Sequence, residues 1–206
     1  MSDENDDPFG DASVAAERPL PPLPPVNVYF TASTFKLIVM SVFTLGIYEL
    51  YWFYKNWILI RQRTGKSLSP FWRATFAPFW AYALFKDIKT TADENRIENG
   101  ILPIAHGLAF LVLFCMGIFP KFYALILFFL SVMALIPANR AAVAVNWQLT
   151  KGFKENNQFS GWNWVAMSFG ALFLILEILS LMFLKAMEEA GTIPFDTNMN
   201  GMSIIW

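Results

Sequence analysis

Residues 162–184 form an unbroken apolar run of 23 residues in which Glu177 is the one titratable side chain. A helix needs about 20 predominantly apolar residues to cross the hydrocarbon of a bilayer, so this run alone points to a membrane-spanning helix. Residues 101–119 make a second such run, 19 long, with His106 as its titratable member. The composition agrees: of 206 residues 56% are hydrophobic and 15% charged, against about 25% charged in soluble domains. A soluble single domain is therefore not expected.

A formal net charge of -1, with the basic residues scattered between apolar runs, excludes a nucleic-acid surface. Cys115 is the single cysteine, so no intrachain disulfide is available, and its apolar setting reads as a buried thiol. Residues 1–25 carry six acids against Arg18 and end in Pro-Leu-Pro-Pro-Leu-Pro-Pro. Such a segment cannot bury enough apolar surface to offset its ordering entropy, so residues 1–27 are expected to be a disordered arm that stiffens into polyproline II. No basic region leading into a short apolar core with a cleavage site precedes it, so no cleaved signal peptide is expected.

The remaining chain divides into a helical transmembrane domain over residues 28–187 and a polar tail over 188–206. Within that domain the expectation is an all-α, multi-pass protein with four to five membrane segments. The first, residues 35–60, is longer than a straight crossing requires and is interrupted by Gly46, Glu49, Lys55 and Asn56. It is expected to hinge at Thr44-Leu45-Gly46. The piece beyond that hinge gathers Tyr48, Tyr51, Trp52 and Trp57, residue types enriched where headgroups meet hydrocarbon, and is placed near an interface. Ser69-Pro70 then starts a helix over residues 71–85, too short for a confident crossing, and the polar residues 86–100 read as a loop. Residues 122–136 are expected to span and to hinge at Pro137, with 138–149 continuing as a less apolar helix.

Offsetting the chain against itself by 90 residues gives 12 identities between positions 35 and 89, among them Ser41/Ser131, Asn56/Asn146, Trp57/Trp147 and Trp72/Trp162. This points to repeat units at 35–89 and 125–179, and it sets Glu49 opposite Asn139 and Asp87 opposite Glu177. Orientation follows from the basic residues. If segments 61–100 and 138–161 share a side, that side holds ten lysines and arginines, against Lys121 and Lys185 opposite. That asymmetry marks the cytoplasmic face, and it requires that residues 71–85 not cross fully.

Few residues carry chemistry. Glu177 lies deep in a span, where an unpaired charge costs several kcal/mol, so it is the leading candidate for proton or cation handling. His106, alone, is read as a structural hydrogen-bonding group and cannot make a metal site. Glu49, Asn56 and Arg63 recur every seven residues on one helix face, which lines a polar groove or packs against polar atoms of another helix. No nucleophile motif, phosphate loop or metal spacing is present, so no catalytic residue, metal or cofactor is expected and an enzyme is not the leading reading.

The stretch Thr44-Leu-Gly-Ile-Tyr-Glu-Leu-Tyr-Trp52 resembles a T-x-G-I-Y-x-x-Y-W signature of small bacterial inner-membrane proteins that share a domain of unknown function. The resemblance implies a bacterial inner membrane and transfers no functional residue. The expected partners are the lipid bilayer and a membrane protein or second copy, in a scaffold or interaction module that contacts headgroups. The competing class is a small proton- or cation-coupled transporter or channel-like protein using Glu177.

Overall fold

The computed structural model describes residues 27–117 and 122–190, and within the sixth helix the side chains from Phe129 on. The described residues form seven helices and no strand. They are α1 (Thr34–Phe43), α2 (Ile47–Thr64), α3 (Pro70–Thr75), α4 (Ala77–Glu94), α5 (Pro103–Gly117), α6 (Phe122–Leu149) and α7 (Gly161–Glu189).

The Ser33 side chain caps α1 by accepting from the Lys36 amide at 3.3 Å. The helix stops because residues 44–46 close it on themselves. Gly46 N donates to Ser41 O at 2.9 Å and Leu45 N to Val42 O at 3.3 Å, the pairing of a Schellman turn. The turn places both Leu45 (φ 51°) and Gly46 (φ 81°) in the left-handed region. A Cβ there costs about 1–2 kcal/mol, which Gly46 avoids and Leu45 does not. Thr44 serves both helices: its hydroxyl donates to Met40 O at 2.6 Å and accepts from Tyr48 N at 2.9 Å. The chain then continues as α2, which packs on α1.

Residues 71–85 are not one helix. Pro78 lacks an amide hydrogen and restricts Ala77, so α3 ends at Thr75 and α4 begins at Ala77 with the proline in its first turn. Nor are residues 86–100 a loop, for α4 continues to Glu94. The reason is its apolar stripe: Ala77, Ala81, Leu84, Phe85, Ile88 and Ala92 are all buried. α4 packs against α5 and α6, which also pack on each other. At Gly107 a Cβ would stand 3.0 Å from the Tyr82 backbone, so this glycine sets how closely α4 and α5 approach.

Two further expectations need correction. Pro137 is not a hinge between helices, because α6 runs from Phe122 to Leu149 without interruption. Its neighbours Leu135, Ala138 and Ala141 are buried on both sides of it, and this packing holds the helix through the proline. Tyr48, Trp52 and Trp57 are not interfacial either; they are buried at 6%, 0% and 3% exposure. They sit inside because α2 is enclosed by its neighbours, with Phe53 stacking on Phe110 of α5 at 5.2 Å between ring centroids. The exposed aromatic residues of this region include Tyr51 and Tyr54 of α2, together with Phe71, Trp72, Phe79, Trp80 and Tyr82 of α3 and α4. Cys115 is half-buried on α5.

α7 stands apart from this core. None of its residues is buried, and it meets the bundle along α1, where a Cβ on Gly170 would fall 1.4 Å from Phe43 O. Of the described helices, α7 and the 129–149 part of α6 are long and apolar enough to cross a membrane.

Candidate functional site

The segment 27–33 has no helix or strand of its own, yet Tyr29 and Ala32 are fully buried. Its peptide groups therefore need partners, since an unpaired buried N–H or C=O costs about 1–3 kcal/mol. Three asparagines supply them. Asn146 Oδ1 accepts from Tyr29 N at 3.0 Å and its Nδ2 donates to Tyr29 O at 2.7 Å. Asn56 does the same for Phe30, at 3.0 and 3.1 Å. Asn139 holds Ala32, at 3.2 and 2.6 Å. A carboxamide carries one acceptor and one donor group spaced like those of a peptide, so each asparagine pairs with one residue as a neighbouring strand would. Asn139 Oδ1 also accepts from the Trp52 indole at 3.1 Å, and Asn56 Nδ2 donates to Trp52 O at 2.9 Å. The clamp thus ties α2 and α6 to each other through the segment between them.

The side chain of Tyr29 carries the clamp on to α4. Its hydroxyl donates to Asp87 Oδ2 at 2.7 Å, lies 2.8 Å from Thr91 Oγ1 and accepts from Arg63 at 3.1 Å. Arg63 closes the group with a 2.6 Å ion pair to the same Asp87 oxygen and lies 4.8 Å from the centre of the Tyr29 ring. Burial, and after it the Asp87 charge, pushes the Tyr29 hydroxyl well above its usual value, so it remains a donor. At the start of α1, Lys36 is held by Asn156 Oδ1 at 2.7 Å and Gln158 O at 2.6 Å.

The α2 stripe therefore faces the interior at Glu49 and Asn56 and reaches the surface at Arg63. Asn56 and Arg63 belong to the clamp, and Glu49 meets Ser131 of α6. Its counterpart on α6, Asn139 and Asn146, again seven apart, sequence reading passed over. The signal was present: the 90-residue offset aligns Asn56 with Asn146 and Glu49 with Asn139. Tyr29, Asp87 and Thr91 carried no local mark. The other candidates lie elsewhere. His106 Nδ1 accepts from Leu102 N at 3.1 Å, closing the first turn of α5, and Glu177 is exposed on α7.

Two surface hollows are lined by other residues of the clamp helices α2 and α6. One, of about 520 Å³, lies between residues 98–100 and α6 and is lined by Asn99, Pro137 and Arg140. The other, about 330 Å³ and almost wholly apolar, lies between α2 and α3 against Leu50, Tyr51, Tyr54 and Phe71. Among the described residues no group of three or more His, Cys, Asp or Glu gathers to hold a metal ion. Compared with family models, with curated proteins and with solved structures, the chain finds no match.

Proposed function

We propose that this chain is a multi-pass protein of the bacterial inner membrane that works as a non-enzymatic scaffold or interaction module. The observation that carries the reading is α7: 29 residues long, with a mean hydropathy of 2.2 over an 18-residue stretch and no residue buried. So much exposed apolar surface on one helix is stable in lipid or against another protein, and not in water. The interior polar groups support the same reading, because the clamp spends them on binding the chain to itself. The exposed aromatics of α2, α3 and α4, with Arg61 and Lys66 close by in sequence, suit contact with lipid headgroups.

A photo-crosslinking residue at Leu176, exposed on α7, tests the proposal in intact cells. The protein should stay with membranes through alkaline carbonate washing and crosslink to a discrete second protein. Release by carbonate would overturn the membrane reading, whereas crosslinks to lipid alone would overturn the scaffold reading. Orientation has its own test, in a background lacking Cys115. Cysteines at Lys66 and Lys151 should both resist an impermeant thiol reagent in intact cells, and labelling of either would overturn a shared cytoplasmic side.

A further inference from the structure

The junction of α1 and α2 buries a carboxyl group that no charge among the described residues neutralises. Glu49 is fully buried, and neither ion pair among the described residues involves it. Its two oxygens lie 3.1 and 3.0 Å from Ser131 Oγ. A hydroxyl has one hydrogen and can satisfy one lone pair of a carboxylate that presents about four. Ser41, at the end of α1, lies beside the same carboxyl, and its buried Oγ makes no hydrogen bond of good geometry.

Of the described charged groups on the surrounding elements, none makes an ion pair with Glu49. Lys36 of α1 is bound to Asn156 and Gln158, and on α2 Arg63 pairs with Asp87 of α4. Tyr48, adjacent on α2, keeps a buried hydroxyl without a partner. On α5 His106 accepts from Leu102 and Cys115 is half-buried; Arg140 on α6 and Glu177 on α7 are exposed. A bare carboxylate so placed costs several kcal/mol, more than one or two hydroxyls return. Packing does not demand an acid either, since the matching position of α6 is filled by Asn139.

We propose that Glu49, Ser41 and Ser131 form a binding site for one monovalent cation, a proton or a small alkali ion. Two carboxylate and two hydroxyl oxygens are a hard-ligand set, and sites of this kind recur where a helix is interrupted inside a membrane domain. The serines are equivalent under the 90-residue offset, so the two halves of the chain contribute one each. The proposal does not depend on what the protein scaffolds.

Thermal unfolding of the full-length protein in detergent tests it. In choline chloride the melting temperature should drop by several degrees between mildly acidic and mildly alkaline pH, because removing a ligand of the native state removes its stabilisation. If alkali is the ligand, NaCl, LiCl or KCl at alkaline pH and equal ionic strength restores the loss; if the proton is, none does. Glu49→Gln should abolish both dependences, and Ser131→Ala should weaken them while keeping the carboxyl. A wild-type melting temperature indifferent to pH and alkali, or a Glu49→Gln protein that keeps the full dependence, overturns the proposal. Should Glu49→Gln not fold, infrared spectra of the Glu177→Gln protein decide. A buried carboxyl band that responds to pH or alkali is expected, and its absence overturns the site.

Discussion

The bundle of α1 to α6 buries polar groups among its apolar core, whereas α7 leaves its apolar side chains unburied. Inside the bundle sit Asn56, Asn139, Asn146 and Glu49, all at 0–1% exposure, while α7 keeps apolar Phe169, Leu172 and Leu176 more than half exposed. A buried amide is tolerated only when every polar atom has a partner, so the bundle is specified by pairing. Methylenes need no partner, only the absence of water, so what surrounds α7 decides its stability.

The largest expected effect falls on the clamp. Asn139→Ala leaves Ala32 N, Ala32 O and the Trp52 indole without partners. At about 1–3 kcal/mol for each orphan, unfolding in detergent should lose at least about 3 kcal/mol. Asn146→Ala, which orphans Tyr29 N and O, should lose less. If either loses under about 1 kcal/mol, water replaces the amide and the bundle is not specified by pairing.

A smaller effect belongs to the junction that brings Glu49 inside. Gly46→Ala puts a Cβ on a left-handed residue and should cost about 1–2 kcal/mol. Circular dichroism should show helix content unchanged. A gain in stability would mean that residues 35–60 prefer one straight helix.

Smaller again is the ion pair at the edge of the clamp. Arg63 and Asp87 are about a third exposed, so Asp87→Asn should cost under about 1 kcal/mol and the difference should shrink in high salt. Tyr29→Phe tests the same edge from the other side, because loss of the hydroxyl that meets Asp87, Thr91 and Arg63 should exceed loss of the charge.

The smallest effect on the bundle comes from α7. Gly170→Leu cannot be seated against Phe43 O and should detach α7 while the bundle melts within about 0.5 kcal/mol of wild type. Spin labels at Phe35 and Trp164 should report a longer, broader distance. A bundle that melts much lower would show that α7 belongs to the same cooperative unit.

Much of the helical content could be read in advance, since apolar runs and the Ser69-Pro70 start are local signals. Helix ends were harder. Pro78 splits α3 from α4, and Ile88 and Ala92 prolong α4 through residues that look polar in sequence, because two buried positions per two turns hold a helix whose other faces are charged. Of the site, the seven-residue stripe of α2 was visible, but neither its inward direction nor its partners were. Trp52 and Trp57 explain the error. An aromatic cluster has the same composition at a headgroup interface and in a core, and only the helices packed around α2 distinguish the two.

Local chemistry accounts for the helical character of the described residues, the apolar length of α7, the turn at Thr44-Leu45-Gly46, and asparagines at matching places in α2 and α6. Which peptide groups those asparagines hold depends instead on long-range packing. Asn56 pairs with a residue 26 positions away and Asn146 with one 117 positions away. A carboxamide fits the backbone of any residue, so nothing in an asparagine names its partner. The partner is set by the path that leads segment 27–33 between α2 and α6, and that path is a property of the packed helices together.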